Sequence, residues 1–395
     1  MNSTLRSSVR KTIIGVQFLF VAFGATVLVP LLVGLDPSIA LFTAGVGTLL
    51  FHLVTKGKVP IFLGSSFAFI APIIEATKHF GLPGTLFGLL GVSLVYFLMS
   101  ALIKWQGVAF IQRLFPPVVI GPVIILIGLT LASSGVNMAK ENWPLALIAL
   151  FTAVIITIYA KGLLKLVPVF AGIVVAYITA YFMGVLDFTE IHQAAWFSLP
   201  HFVTPSVSWK AVLYMMPVAI APVIEHVGDI YVVNTVAQKD FVKDPGLHRT
   251  MLGDGLACLV SAFLGGPPVT TYSEVTGAMA LTKMTNPEVI RIAAVAGILF
   301  SVIGKVSAFL RSIPSSILGG IMLLLFGTIA CAGITNLVKN QVDFQDTRNT
   351  VIASLILTIG IGGAQFSVGG FSMAGIGLAS LIGVFLNLII PPTKK

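Results

Sequence analysis

The sequence predicts an all-α polytopic membrane protein, and three observations support this prediction. Hydrophobic residues make up 57% of the chain and charged residues only 9%. The mean hydropathy of +1.03 excludes a soluble globular chain, in which apolar residues cover one face of each element. The apolar runs are long and continuous over the whole length, whereas a transmembrane β-barrel would show short alternating segments.

Fourteen hydrophobic segments follow one another along the chain. Their approximate bounds are 13–34, 39–55, 61–75, 83–104, 117–135, 143–160, 166–186, 210–234, 249–265, 270–283, 289–309, 314–332, 349–364 and 373–391. The longest polar connection, roughly Asp187 to Lys210, divides them seven and seven. Two halves with an odd number of spans insert in opposite orientations, which is how inverted repeats arise. We therefore predict a first repeat over 1–205 and a second over 206–395.

The net charge of +9 follows the membrane topology and does not indicate nucleic acid as a partner. With the N-terminus in the cytoplasm, 18 of the 23 Lys and Arg residues fall on the inner side and five on the outer side. This is the bias that the positive-inside rule requires. An error in the number of segments would move every later loop to the wrong side. The distribution therefore supports an even count, with both termini in the cytoplasm and the lipid bilayer as the surrounding phase.

The sequence contains no motif that indicates covalent catalysis or metal binding. Cys258 and Cys331 both fall inside predicted segments, and we expect them to be small apolar core residues without a disulfide. No metal-ligand spacing and no nucleophile–base spacing occurs in the sequence. We therefore predict neither a metal site nor an enzyme.

Segments three and ten are predicted to contain extended backbone. Gly64 precedes the SSF of 65–67, and the GGPP of 265–268 precedes the TTY of 270–272. Hydroxyl, aromatic and β-branched residues after Gly or Pro favour extended backbone. Interrupted segments at matching places in two halves are typical of a transporter binding site, where such backbone lines a cavity. We expect two half-helices whose extended starts meet near the membrane centre, with free N–H groups available to a ligand.

Five acids lie within the apolar segments, where carboxylates are costly and commonly functional, and we expect one of them, Glu75 at the outer end of its segment, to be interfacial. Glu225 and Asp229 are four residues apart and share a helix face, so in a low dielectric they should not both ionise easily. A proton held between them is a physical basis for proton coupling. Glu274 opens the helix after the second extended stretch, where it can cap that helix and contact substrate. Asp254 lies near the cytoplasmic start of its helix, where a structural or gating role is favoured slightly over a proton role.

The motifs around these residues are specific in order and spacing. They are FGATVLVP at 23–30, KGKVPIFLGSSFAFIAPI at 56–73, FPPVVIGPVI at 115–124, EHVGD at 225–229, DPGLHR at 244–249 and GGPPVTTYSEVTGAMALTK at 265–283. Together they resemble the nucleobase–ascorbate transporter family, also called nucleobase:cation symporter-2. The family signature corresponds here to Glu274, Gly277, Thr282 and Lys283.

The resemblance implies a fold of fourteen helices in a seven-plus-seven inverted repeat. It implies a core domain at approximately 13–104 and 210–309, and a gate domain at approximately 117–186 and 314–391. It also implies proton-coupled import of a nucleobase across the bacterial inner membrane by alternating access, often as a homodimer, with the proton as coupling ion and no cofactor.

The resemblance further implies roles for individual residues. Glu225 and Glu274 would accept the ring N–H groups of the base, and Phe67 would stack on it. Backbone N–H groups near Phe67 and Ser273 would hold its carbonyl oxygens, and Ala25 would line the pocket. Tyr272, the aromatic residue of the second interrupted segment, is a further candidate for substrate contact. The residues implied in proton coupling are Glu225, Asp229, Glu274 and Asp254.

The identity of the base stays open at this point. Asp229 stands where uracil-type members usually carry histidine and purine-type members tend to carry aspartate. Asp254 also resembles the residue at this position in purine-type members. Ser273 and Val275 replace the usual glycine and asparagine beside the signature acid. Glu274 itself is the uracil-type residue, so uracil is favoured over xanthine or another purine base. An anion transporter of the same architecture is less favoured, because it would need a cationic or neutral centre.

Overall fold

The computed structural model describes residues 2–368 and 371–391 and is mostly helical. The helices are α1 (Asn2–Val33), α2 (Pro37–Val54), α3 (Ile70–Gln106), α4 (Val108–Leu114), α5 (Pro117–Ala139), α6 (Trp143–Tyr159), α7 (Pro168–Phe182), α8 (Thr189–Gln193), α9 (Trp209–Met215), α10 (Ile220–Ala237), α11 (Leu247–Phe263), α12 (Ser273–Thr282), α13 (Pro287–Ser301), α14 (Gly304–Arg311), α15 (Ser315–Lys339), α16 (Thr347–Ile361) and α17 (Gly375–Ile389). The strands are β1 (Leu63–Ser65), β2 (Val269–Thr271), β3 (Gln365–Val368) and β4 (Phe371–Ala374).

Helix overlaps every predicted hydrophobic segment, so the positions of the segments agree with the structure. Segments three and four share α3, which breaks at Gly81, where φ is +67°. Glycine adopts this left-handed conformation without a Cβ penalty. In the part of the chain that the structure describes, six helical stretches are long and apolar enough to cross a membrane. The molecule is thus a helical protein of membrane type, while the count of fourteen spans and the inverted repeat stay predictions.

The helices pack in two groups. One group brings together α1, α2, α3, α11 and α13, and the other brings together α5, α6, α7, α15, α16 and α17. Glycines allow close approach in the second group. A Cβ built on Gly333 of α15 would lie 2.6 Å from the carbonyl oxygen of Gly121 on α5, and one on Gly172 of α7 would lie 2.7 Å from the carbonyl oxygen of Ala149 on α6. Small residues at such crossings are how membrane helices gain packing contacts.

A hairpin of β3 and β4 separates the last two helices and is absent from the sequence prediction. Its strands flank the Gly–Gly pair at 369–370, which lies outside the described residues. Aromatic and β-branched residues around a Gly–Gly pair are a hairpin signal that could have indicated it.

The two cysteines have different environments, and one prediction is wrong. Cys258 on α11 is fully buried and free, as expected, whereas Cys331 on α15 is free and exposed. Both the lipid and the protein interior are apolar, so hydropathy does not distinguish the outer face of a membrane helix from its packed face.

Candidate functional site

The two stretches predicted to be extended form β1 and β2, which pair with each other antiparallel through Gly64 and Thr270. The hydrogen bonds at their ends have a local two-fold relation. The N–H of Ser66 donates to the carbonyl of Pro268 at 2.9 Å, and the N–H of Tyr272 donates to the carbonyl of Phe62 at 3.1 Å. The strand pair contacts α1, α2, α10 and α11, so it lies inside the first helical group.

Each strand leads directly into the start of a helix. A short 3₁₀ turn begins at Phe67 and continues into α3, and α12 begins at Ser273. The first N–H groups of a helix have no intrahelical partner and carry partial positive charge, so both starts suit carbonyl oxygens or anions. Because β1 and β2 run in opposite directions, the two helix starts lie at opposite ends of the strand pair.

Asp229 is tied to the second strand–helix junction. The hydroxyl of Thr271 donates to its Oδ2, and the hydroxyl of Ser273 donates to its Oδ1. Asp229 is buried, with 7% of its surface exposed. Thr271 is a partner that the sequence analysis did not identify, since one threonine before the signature motif carries no pattern of its own. The two hydroxyls compensate part of the cost of burying a carboxylate.

Glu225 and Glu274 face accessible space. Glu274, near the start of α12, is exposed, and Glu225 is half-buried on α10. Glu225 lies within electrostatic range of Asp229, Glu274 and Asp254. A Cβ built on Gly228 or on Gly277 would meet no atom within 4 Å. Gly228 shares the α10 face with Glu225, and Gly277 shares the α12 face with Glu274, so each acid lies beside open space.

The two predicted aromatic contacts differ in their surroundings. Phe67 is 9% exposed, and its ring meets that of Phe326 on α15 edge-on, with centroids 5.9 Å apart. Tyr272 is 4% exposed, and its hydroxyl donates to the carbonyl of Ser65 at 2.8 Å. Tyr272 therefore links the two strands, and its contact with substrate stays a prediction. Phe326 is a neighbour that sequence reasoning missed, because it is one of 28 phenylalanines without a distinguishing motif.

Asp254 takes part in a buried polar cluster with His226 and Thr250. Its Oδ2 lies 2.7 Å from Nδ1 of His226, and Nε2 of His226 lies 2.9 Å from the hydroxyl of Thr250. None of the three side chains is exposed. The other oxygen of Asp254 has no hydrogen-bond partner within the described residues. The cluster joins α10 to α11 beside the face that carries Glu225, since His226 is the next residue of α10.

The remaining site prediction concerns Ala25. This residue belongs to α1, but its side chain lies outside the described part of the structure. In the described ranges, no group of three or more His, Cys, Asp or Glu side chains is placed to hold a metal ion. The site thus presents carboxylates, hydroxyls, helix starts and one aromatic face, a set that suits a small ligand with N–H and C=O groups.

A cleft of about 580 Å³ opens near the ends of α1 and α12. Its lining includes Arg10, Ile13 and Gln17 of α1, Leu166 before α7, and Leu281 of α12. These positions belong to the predicted cytoplasmic side, and the lining includes α1 of the first helical group and the segment before α7 of the second.

Comparison with known proteins places the chain in a family. A model described as the permease family matches residues 10–369. The chain is 48% identical to a probable uracil permease of Haemophilus influenzae over 399 residues, which cover 99% of this chain and 96% of that protein. It is 43% identical to a uracil permease of Bacillus subtilis over 400 residues, which cover 96% of this chain and 92% of that protein.

The fold is similar to that of the transmembrane domain of a cyanobacterium bicarbonate transporter, BicA. The TM-score is 0.68 at 14% identity, over 96% of this chain and 97% of the other. The curated relatives are permeases, in agreement with the prediction of a transporter and not an enzyme. This integral membrane protein therefore belongs to the nucleobase–ascorbate transporter (nucleobase:cation symporter-2) family of permeases.

Proposed function

We propose that this protein is a proton-coupled uracil symporter of the bacterial inner membrane, with both termini in the cytoplasm. The observation that supports this most is the meeting of two helix starts beside Glu225, Asp229 and Glu274, next to open space. Relatives named uracil permease, over nearly the whole chain, support uracil as the substrate.

The chemistry of uracil fits the site. The ring offers two N–H donors and two C=O acceptors in one plane. The carboxylates of Glu225 and Glu274 accept the N–H groups, and the backbone N–H groups at Phe67 and Ser273 donate to the carbonyl oxygens. The ring of Phe67 stacks on the base, which contributes on the order of 0.5–1.5 kcal/mol beyond burial.

The packing of the helices supports the seven-plus-seven inverted repeat. The proposed repeat pairs each span of the first half with the span at the same position in the second half, so α2 corresponds to α11 and the second part of α3 corresponds to α13. The contact between α2 and α13 is therefore matched by the contact between α11 and α3. The same correspondence maps the contact of α6 with α15 onto that of α16 with α5, and α6 with α7 onto α16 with α17. The contact of α5 with α15 maps onto itself. An inverted repeat requires such pairs. We assign the first helical group to the predicted core domain and the second to the predicted gate domain.

Alternating access then moves the core against the gate. The site belongs to core elements, while Phe326 on the gate helix α15 covers Phe67. A proton shared by Glu225 and Asp229 removes one negative charge from the acid cluster, and uracil docks between the helix starts. The cytoplasmic cleft between α1 and the segment before α7 is the release route. The proton and the N–H groups of the bound base together lower the cost of changing the exposure of the loaded site, because moving uncompensated carboxylates into an apolar environment is costly.

Two other substrates are weaker candidates. Asp229 and Asp254 favour a purine base such as xanthine. Glu274 favours uracil, since it is the uracil-type residue. The bicarbonate transporter shares the fold alone. An anion carrier needs a cationic or neutral centre, and three carboxylates repel an anion from this one.

Purified protein in proteoliposomes tests the proposal. Labelled uracil should enter against its gradient when the outside is acidic, and external pH should rise when uracil is added. A panel of uracil, thymine, 5-fluorouracil, xanthine, hypoxanthine, urate, sulfate and bicarbonate as competitors ranks the substrates. Uptake that ignores a collapsed pH gradient would contradict the coupling, and stronger competition by xanthine or bicarbonate would replace uracil as substrate.

A further inference from the structure

The connection between α8 and α9 crosses one end of the first helical group. We call residues 194–208 the outer strap, because the distribution of Lys and Arg predicts that this connection lies on the outer side of the membrane. The N–H of Gly304 donates to the carbonyl of Trp196 at 3.0 Å, and the N–H of Ser198 donates to the carbonyl of Val302 at 3.0 Å. These two hydrogen bonds fix the start of the outer strap to the junction between α13 and α14.

Two further contacts fix the rest of the outer strap. The ring of Phe202 meets that of Phe42 on α2 edge-on, with centroids 5.4 Å apart. The N–H of Ser206 donates to the carbonyl of Pro83 on α3 at 3.0 Å. The outer strap is therefore part of the first helical group and not a free loop.

Although its backbone is fixed in this way, the outer strap exposes large apolar side chains. Trp196 is 71% exposed, Phe197 is 81% exposed and Leu199 is 73% exposed. Val207 near the end of the strap and Trp209 at the start of α9 are also exposed. Single exposed apolar residues are normal, but this many along one short segment indicate a surface that another apolar phase covers.

The apolar surface of the outer strap joins the exposed surface of α13. Val295 and Leu299 lie one turn apart on this helix, and both are exposed. The helix ends at Ser301, and Ile303 just beyond it forms an antiparallel bridge with Phe197. The exposed apolar face of a membrane helix contacts lipid, so the strap lies where that face reaches the membrane surface.

At its other end the outer strap joins the exposed surface of α9. Trp209 and Leu213 lie one turn apart on α9, and both are exposed. The ring of Trp209 meets that of Phe87 on α3 edge-on, with centroids 5.6 Å apart. Thus α9 packs on α3, whereas α13 packs on α1 and α2. A single protein partner would have to reach both of these helices, whereas the lipid phase surrounds both.

The neighbours of the exposed rings are polar, which indicates the depth of the strap in the membrane. Nζ of Lys305 lies 6.0 Å from the ring centroid of Trp196. Glu190, His192 and Gln193 of α8, just before the strap, are exposed. Tryptophan concentrates at headgroup level, where its apolar ring can lie beside charged groups. The membrane–water interface fits both the exposed rings and their polar neighbours.

We propose that the outer strap lies in the headgroup region of the outer leaflet and inserts Trp196, Phe197 and Leu199 among the phospholipids. Because the strap is fixed to α2, α3 and the end of α13, it sets the depth of the outer end of the first helical group in the membrane. The interaction depends on apolar side chains and not on lipid charge, so a zwitterionic phospholipid is sufficient. It does not require the proposed symport, and its test does not measure uptake.

Tryptophan fluorescence tests the proposal, because the chain contains only four tryptophans. Trp105→Phe, Trp143→Phe and Trp209→Phe in one chain leave Trp196 as the only reporter. This variant is placed in phosphatidylcholine vesicles whose acyl chains carry bromine near the headgroup or near the bilayer centre. We expect bromine near the headgroup to quench Trp196 at least about twofold, and more than bromine near the centre, because tryptophan lies at headgroup level.

Gln193→Trp, combined with Trp196→Phe in the same background, is the matched control. Gln193 is an exposed polar residue of the same connection, three residues before Trp196. Iodide on both sides of the membrane should quench this control strongly and Trp196 weakly, and bromine should do the reverse. Quenching of Trp196 by iodide as strong as in the control would show that the strap faces water. Protection of Trp196 from both quenchers would show that protein covers it, and either result overturns the proposal.

If the variant without the other tryptophans does not fold, thiol labelling decides the matter. Phe197→Cys and Gln193→Cys are each made together with Cys331→Ser, since Cys331 is exposed and the remaining Cys258 is fully buried. We expect a charged, membrane-impermeant maleimide to react more slowly at Phe197→Cys than at Gln193→Cys, and a lipid-soluble maleimide to remove this difference. Equal rates with the charged reagent, or a difference that persists with the lipid-soluble one, would contradict insertion into lipid.

Discussion

The two strand–helix junctions share a backbone arrangement and differ in chemistry. Gly64 and Thr270 face each other in the antiparallel strand pair. Counted from them toward the C-terminus, Phe67 is the third residue of one strand and Ser273 the third of the other, so these two correspond, as do Ala68 and Glu274. The first junction thus presents an aromatic ring and a methyl group, whereas the second presents a hydroxyl and a carboxylate. A common scaffold supplies two helix starts, and only one of them carries charge.

The same difference extends to the neighbouring helices. The hydroxyl of Ser65 donates to a backbone carbonyl of α1 at Thr26, while that of the corresponding Thr271 donates to the Asp229 carboxylate on α10. One hydrogen bond serves the fold and the other also orients an acid. The comparison teaches that the first half shapes the pocket and the second half supplies its proton and substrate chemistry.

Removing the acid of the second junction should have the largest effect. We expect Glu274→Ala to lower uracil uptake about 100-fold, because hydrogen bonds to a charged partner contribute about 1.5–3 kcal/mol and each 1.4 kcal/mol is tenfold. Initial rates of uptake in cells, normalised to the amount of protein in the membrane, measure this. Glu75→Ala is the control, since Glu75 is an acid of the first half-helix that pairs with Lys78 and His79. Equal loss in both variants would remove the distinction between the halves.

Asp229→Asn should change the pH dependence more than the binding. The amide oxygen can still accept from one hydroxyl, but the amide group cannot take up a proton. We expect the apparent KM for uracil to stay within about fivefold, a loss of about one hydrogen bond, while the pH profile of uptake flattens. Ser273→Ala is the matched control, because it removes one donor to Asp229 and leaves the carboxylate. An unchanged profile in Asp229→Asn would take Asp229 out of proton transfer.

Phe67→Ala should weaken uracil binding by about 2- to 13-fold, the equivalent of 0.5–1.5 kcal/mol of stacking. Phe67→Tyr keeps the aromatic face and should restore most of the affinity. Equilibrium binding of labelled uracil to purified protein separates the two variants. If Phe67→Leu binds as well as Phe67→Tyr, the first junction contributes apolar volume and no specific stacking.

The smallest effect is expected outside the site, where Lys11 on α1 pairs with Glu288 at the start of α13. The hydrogen bond from Lys11 lowers the pKa of Glu288. A lowered pKa means that the pair stabilises the fold above the ordinary pKa of a glutamate, and that this contribution is lost as pH falls through the lowered value. Lys11→Met should therefore reduce the melting temperature slightly near neutral pH and not in acid. Uptake should not change, and a pH-independent difference in melting would refute the ionic origin.

Much of the site could be predicted from the sequence because the signals there are local. Gly and Pro followed by hydroxyl and aromatic residues identified both extended stretches, and rare acids in apolar segments identified Glu225, Asp229 and Glu274. What could not be predicted depends on which way a helix face points. Cys331 is exposed and Tyr96 is fully buried. Hydropathy treats both as ordinary positions, because lipid and protein interior are equally apolar.

Equilibrium binding of uracil to purified Glu225→Gln and Glu274→Gln tests most directly whether the base meets the acids of the second half. These variants keep the shape of the side chains and remove the negative charge that accepts the ring N–H groups. We predict that the unsubstituted protein binds uracil saturably and that each variant binds at least about tenfold more weakly, the loss of one charge-assisted hydrogen bond. Binding by both variants within about twofold of the unsubstituted protein, the scatter of such measurements, would show that the base lies elsewhere.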